Sequence, residues 1–243
     1  MILFVAVFLG IALAIPVFFF FYAPANCSDG KTNGGERDVD CGGPCERICK
    51  NDALPPNLLW ARPLQISKNS FSAVAYLENP SLSMEALNVP YVLKLKDGEN
   101  LLIFEKRGKT YIPPGKTFAV FEGVMPVGER IPARAYFEFE GDIPWRKIES
   151  SPNELKVENK KISMDADGKT RLSFRLKNEE LAAVYNIEAI GILFGENKNS
   201  IAASQTIVDF IPRNSSEEVM LSWPFKLSEK AVRSEVVYKI IPK

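Results

Sequence analysis

The chain of 243 residues contains no histidine. Without an imidazole, Ser–His and Cys–His nucleophile pairs, histidine-ligated zinc and the usual charge switch near neutral pH are all excluded. An excess of either charge is also missing: thirty Lys and Arg balance thirty Asp and Glu, and neither sign forms a long block. Nucleic-acid binders carry a basic stripe, so no nucleic acid is expected as a partner. No G-x-S-x-G elbow, Walker A loop or dinucleotide glycine motif occurs. Ser28-Asp29-Gly30-Lys31 fits S-x-x-K in form, but Ser–Lys enzymes place that motif at a helix start inside a large pocket. Cysteine is scarce, with four residues that all lie between positions 27 and 49.

What is present begins with a long apolar run. Residues 1–23, MILFVAVFLGIALAIPVFFFFYA, carry no charged side chain. A helix of that length rises roughly 33 Å, enough to cross the hydrocarbon core, and Pro16 would kink it without forbidding insertion. A cleaved signal peptide is the rival reading, because Ala23-Pro24-Ala25 fits the small-x-small cleavage pattern. The run is longer than the usual apolar core of a signal and lacks a basic leader, so an uncleaved anchor is expected, with the remaining chain on one side of the membrane.

The cysteines indicate which side. Their spacing, Cys27-x13-Cys41-x3-Cys45-x3-Cys49, contains none of the C-x2-C pairs that zinc sites favour. Four cysteines after a membrane segment read as two disulfides in an oxidising compartment, with three pairings open. Residues 26–50 hold too little apolar material to fold unaided, so covalent links must supply the order. Asp29, Asn33, Glu36, Asp38 and Asp40 alternate with glycines. Oxygen ligands on a tight turn suit calcium, although the spacing is not that of an EF-hand. The alternative is turn chemistry with solvated charges. No other cofactor is expected.

The run C-x-D-G-x-x-N-G-x-E-x-D-V-D-C-G-G-P-C resembles a short cysteine module of secreted and cell-surface proteins. The resemblance rests on Cys27, Asp29, Gly30, Asn33, Gly34 and Glu36, and on Asp38 through Gly43 with Cys45. It implies export and no particular activity. Cys49 falls later than the family's last cysteine often does.

After a polar, proline-bearing linker (KNDALPPNLL), the chain repeats itself at an offset of 98 residues. Leu87-Asn88-Val89 aligns with Tyr185-Asn186-Ile187, Pro114 with Pro212, Met125-Pro126 with Trp223-Pro224 and Ile143-Pro144 with Ile241-Pro242. One residue of slippage brings Leu77-Glu78-Asn79 onto Leu176-Lys177-Asn178. Prolines kept in register over such a span indicate a duplicated domain. RLSFRLK places Leu172, Phe174 and Leu176 on one face and Arg171, Ser173, Arg175 and Lys177 on the other, the period-2 mark of a half-buried strand. SFSAVAYLEN turns Ala73, Ala75 and Leu77 inward in the same register. VPYVLKLKDGEN and IEAIGILFGENKN are more continuously apolar, as central strands are. Six or seven short strands in about 95 residues, with turns every 8–12 and no convincing amphipathic helix, describe a β-sandwich. The predicted domains are 55–146 and 154–243, joined by a polar linker, RKIESSPN, with Trp145 packing at the junction.

Each copy resembles the immunoglobulin-like FxLYD modules of bacterial envelope proteins. The resemblance rests on Asn79, Leu95-Lys96-Asp97-Gly98 and Ile112-Pro113-Pro114-Gly115. In the second copy it rests on Asn178, Leu193-Phe194-Gly195-Glu196 and Phe210-Ile211-Pro212-Arg213, where the Asp and the Gly are missing. It implies a spacer or binding surface on an exported protein and no catalytic residue.

Glu138 and Glu140 share one face of a strand about 6–7 Å apart, within the range of a glycosidase pair. Phe137 and Phe139 occupy the other face, so two exposed glutamates are what strand patterning alone yields. Glu179-Glu180 and Glu217-Glu218 lie beside turns. Aromatic residues such as Trp60, Tyr76, Tyr136 and Trp223 could line a ligand platform, but aromatics also fill sandwich cores. The expected fold is mainly β: a membrane helix at 1–23, a disulfide module at 26–50 and two tandem immunoglobulin-like sandwiches. The expected function is a non-enzymatic binding or structural role on the cell envelope, with a protein partner or an envelope component. The alternatives are an envelope hydrolase using strand carboxylates and an accessory subunit of a secretion or pilus-like assembly.

Overall fold

The computed structural model describes residues 26–49, 52–148 and 154–242; the expected anchor at 1–23 lies outside them. Among the described residues no helix is long and apolar enough to cross a membrane, and every regular element is a strand. The chain divides into two compact units, the second being Lys50–Lys243.

The first half of that second unit contributes β1 (Asn57–Ser67), β2 (Ser70–Glu78), β3 (Met84–Lys96), β4 (Leu102–Ile112), β5 (Thr117–Pro126), β6 (Arg134–Phe139) and the short β7 (Trp145–Lys147). The second half contributes β8 (Leu155–Met164), β9 (Thr170–Asn178), β10 (Val184–Phe194), β11 (Ser200–Ile211), β12 (Ser215–Ser222) and β13 (Arg233–Ile240). The first half forms sheets β1-β2-β5 and β4-β3-β6, with β7 added beside β3. The second forms β8-β9-β12 and β11-β10-β13, so strand by strand it repeats the first. All neighbours are antiparallel.

Both predicted linkers are shorter than expected. β1 takes Asn57, Leu58 and Leu59 from the first, and β7 takes Arg146 and Lys147 from the second. β7 owes its place to the partners it finds across the ladder. Trp145 is buried opposite Ala86, and Arg146 stands opposite Glu85 and bonds to it, Nε to Oε1 at 2.8 Å.

The two copies share one bracing device. The buried Asn79 side chain donates to the carbonyls of Met84 and Pro113, both at 2.8 Å, and accepts from the Ser81 amide at 3.0 Å. Asn178 likewise donates to Ala182, Ile211 and Pro212 and accepts from Glu180. A carboxamide suits this position because it offers donor and acceptor together to backbone groups cut off from water. The structure corrects the register at the following turn. Gly115 N–H bonds to Ser81 O, and the equivalent bond runs from Asn214 N–H to Glu180 O. Asn214 therefore stands where Gly115 stands, at φ values of 49° and 56°. The glycine missing from the second copy is replaced by an asparagine, which tolerates the left-handed region.

Within the second half, Leu172, Phe174 and Leu176 of β9 meet Ile187, Ala189 and Leu193 of β10 in one core. Each leucine, isoleucine or phenylalanine so buried contributes roughly 1.5–3 kcal/mol. A second cluster joins the halves: Leu64, Val74, Tyr76 and Ala119 pack with Ile190, Ile192, Phe194, Ala203 and Val237. The outer face of sheet β1-β2-β5 thus lies on the outer face of sheet β11-β10-β13. Every residue of β2 from Phe71 to Leu77 is buried in consequence.

Candidate functional site

In the cysteine module the pairs are Cys27–Cys45 and Cys41–Cys49, with Cα separations of 5.7 and 5.1 Å, and no cysteine is free among the described residues. Only Cys41, Cys45, Ile48 and Cys49 are buried there among the hydrophobic residues. So small an apolar centre leaves the crosslinks to hold the fold. Gly43 is required by close approach: a Cβ there would lie 2.1 Å from the carbonyl oxygen of Gly35.

The five oxygen-bearing residues chiefly serve the backbone. Asp40 accepts from the Gly30 amide at 3.0 Å, Asp29 from the Lys31 amide at 2.9 Å and Asp38 from the Val39 amide at 2.7 Å. Glu36 accepts from the Asn33 amide at 3.2 Å, and Asn33 Nδ2 donates to Asp29 Oδ2 at 2.9 Å. These bonds hold the Asp29 carboxyl below the usual carboxylate range, the Asn33 side chain contributing most. Asn33 Oδ1 is buried without a partner. Among the described residues the one cluster with metal-ligand spacing is Cys27, Glu36 and Cys45. Its two sulfurs are joined to each other and offer no thiolate.

Glu138 and Glu140 each face a basic side chain of the same sheet: Lys94 of the neighbouring β3 at 3.2 Å from the first, Arg107 of β4 at 3.0 Å from the second. Phe137 is buried and stacks on Tyr91 with centroids 5.2 Å apart. Of the described tyrosines and tryptophans, Tyr76, Tyr91, Tyr111, Trp145 and Trp223 are buried. Trp223 also spends its indole N–H on the Ala203 carbonyl at 3.1 Å. Tyr111 donates to the buried Glu85 at 2.5 Å, and burial first, then that bond, pushes its hydroxyl pKa up.

The junction between the halves carries polar groups of which sequence reasoning singled out only Trp60 and Tyr76, as platform candidates. Trp60 stacks on Tyr76 at 5.2 Å, and the Tyr76 hydroxyl donates to Glu235. Burial, reinforced by that carboxylate, raises the Tyr76 pKa to about 12. Arg62 donates to Asn199 at 2.6 Å. Lys239, only 4% exposed, lies 2.7 Å from Glu188 and donates to Thr110 of β4 at 3.0 Å. Burial lowers its pKa against the opposing pull of Glu188. A lysine at alternating position on an edge strand gives no sign of this; its burial comes with the docked first half, whose β4 supplies Thr110 and whose β5 packs against β13.

On the flank formed by β11 and β12, Ile207, Phe210 and Met220 are exposed, and Tyr185 stacks on Phe210 at 6.0 Å. β11 is an edge of its sheet.

No family model matches the chain, and no curated protein matches it. Among solved structures it is similar to red sea bream transglutaminase, with 13% identity and a TM-score of 0.24. The overlap covers 79% of this chain and 32% of that one. A likeness at that score bears on neither the fold nor the activity of this chain.

Proposed function

We propose that this is an envelope-anchored, extracytoplasmic protein with a non-enzymatic binding or structural role. In this reading the segment 1–23 holds it in the membrane, the cysteine module is a crosslinked stalk, and two immunoglobulin-like sandwiches project outward. The observation that carries the reading is the pairing of all four cysteines within one small module that has almost no apolar centre. Such a module is stable where disulfides persist, outside the reducing cytosol. The docked sheets support a rigid spacer, and the exposed edge β11 with its apolar side chains supports contact with a protein or envelope component.

The test is alkylation of unreduced native membranes followed by peptide mapping, alongside proteolysis from the outer side. Linked peptides joining Cys27 to Cys45 and Cys41 to Cys49, with cleavage of the β unit from outside, are the expected result. Four alkylated thiols overturn the proposal.

A further inference from the structure

A cavity of about 730 Å³ lies at one end of the second half, between the edge strands β8 and β13 and beneath the β12–β13 connection, residues 223–232. Its volume falls within the range of small-molecule sites, about 300–1,000 Å³. Ile162, Met164, Leu227, Ala231 and Val232 supply an apolar lining. Met164 and Val232 remain largely exposed, so hydrocarbon surface faces the opening.

The charged groups around this lining are strongly one-sided. Lys160, Lys226, Lys230 and Arg233 line the cavity with Glu229 as the one carboxylate, in a chain whose net charge is zero. Among the described residues Lys160, Lys226 and Lys230 have no ion-pair partner, whereas Arg233 is engaged by Glu235 at 3.3 Å and stacks over Phe194 at 3.9 Å. β8 carries a bulge between Glu158 and Lys161, with Asn159 at φ 53°. Bulges at sheet edges re-aim side chains next to binding sites. Clefts lined by one sign of charge also concentrate ligands of the other sign.

The corresponding end of the first half is built differently: the hollow there is lined by Arg62, Pro132, Arg134 and Tyr136. There Asp97 binds Arg130 of the β5–β6 connection, residues 127–133, and accepts from the Glu99 and Leu101 amides. Position 195, the counterpart of Asp97, is glycine, and the Glu229 carboxylate lies against it: a Cβ on Gly195 would stand 2.4 Å from Glu229 Cδ. Loss of the aspartate removes the arginine clasp, and a longer connection spans the gap. The backbone bond that starts the last strand is kept, Ala133 N–H to Lys96 O at 2.8 Å and Val232 N–H to Phe194 O at 2.9 Å. The apolar, lysine-rimmed lining is therefore a local change on a repeated frame.

We propose that this cavity binds a single-chain anionic amphiphile, with a carboxylate or phosphate head held by Lys226, Lys230 and Lys160 and a short hydrocarbon tail on Ile162, Leu227 and Val232. The site is independent of where the protein resides and of any partner on the β11 flank. The test uses the full chain in nanodiscs of zwitterionic lipid and a diazirine-tagged dodecanoate, with crosslinks mapped by peptide mass spectrometry. Labelling is expected in the peptides carrying Leu227 and Val232. Unlabelled dodecanoate and dodecyl phosphate compete; dodecyltrimethylammonium, which has the same tail and the opposite head, and inorganic phosphate do not. The relative strength of the two competitors assigns the head group. Lys226→Glu with Lys230→Glu weakens the competition by roughly tenfold or more, as loss of charge-assisted bonds does, and Glu229→Gln strengthens it. Both changes lie on an exposed connection, and an unchanged melting temperature shows that the fold persists. Equal competition by the cationic amphiphile, competition by phosphate alone, or unaltered labelling of the double variant overturns the proposal. So does labelling that requires anionic vesicles and is not competed by free dodecanoate, because the surface then meets a membrane and not a bound molecule.

Discussion

The two halves of the β unit share strand order, bracing asparagines and turn bonds, yet their outer faces are built for different surroundings. On β3 the outward side chains include Lys94, paired with Glu138, and Lys96, over the ring of Tyr136. At the same positions of β10 stand Ile192 and Phe194, packed against Leu64, Val74 and Tyr76 of the first half. The difference is mirrored in the other pair of strands. β9 turns Ser173 and Arg175 outward, where β2 has Val74 and Tyr76. One copy of the duplicated frame has thus kept a solvated face on its β3 sheet and given up its β2 sheet; the other has done the reverse. Repetition fixed the frame, and the residues at two positions of each strand pair distinguish the faces that meet from those that do not.

Exchanging those choices gives the largest expected effect. Ile192→Lys places an unpaired charge in the shared cluster and is expected to cost about 4 kcal/mol or more. Lys94→Ile at the equivalent place removes only a surface pair and should change stability by less than about 1 kcal/mol. Denaturant unfolding of both variants measures the contrast, and equal costs would remove the distinction between the faces.

Next comes the polar end of the junction. Lys239→Met leaves the partly buried Glu188 without its partner and should cost about 2–5 kcal/mol. A compensating Glu188→Leu recovers much of that loss. The pH dependence has a defined sign. Burial lowers the folded-state pKa of Lys239, so the unfolded chain holds this proton to higher pH than the folded one. The Lys239 contribution to stability therefore rises with pH through the window below the ordinary lysine value of 10.5. Midpoints of the parent chain against Lys239→Met across that window should move further apart as pH increases; parallel curves would place Lys239 in water.

The smallest effect tests likeness and not difference. Asn79→Ala and Asn178→Ala each strand buried carbonyls and a buried amide, and each should cost about 2–3 kcal/mol. Closely matching losses in the two variants are expected from matching bond sets. A loss in one and none in the other would show that the bracing is not a shared property of the repeat.

Much of this was readable in one dimension. The alternation in RLSFRLK matches the buried and exposed residues of β9, and the offset of the prolines marks the repeated strand order. The crosslinked state of the cysteines was readable from their count and context. The pairing was not, since three pairings satisfy the same spacing and only the folded path brings Cys27 to Cys45. The acids of the loop were legible as oxygen-rich, but their service to backbone amides depends on which N–H groups the turns expose. The junction was legible in principle: apart from Ser72, β2 is apolar on both faces from Phe71 to Leu77, a signal of burial on both sides. Reading only its inward residues, Ala73, Ala75 and Leu77, hid it. β7 carried no signal, because a three-residue strand has no period.

The order of residues along the chain was sufficient to determine strands, turns and crosslinking chemistry. Those follow from side-chain alternation, from backbone freedom at single positions and from the reactivity of thiols, all of which are local. The tertiary structure alone decided the disulfide partners, the meeting of two particular sheets, the burial of Lys239 and the open cavity beneath residues 223–232. Each of these depends on groups far apart in sequence that share one volume, where exclusion of water sets the energy and no local pattern records it.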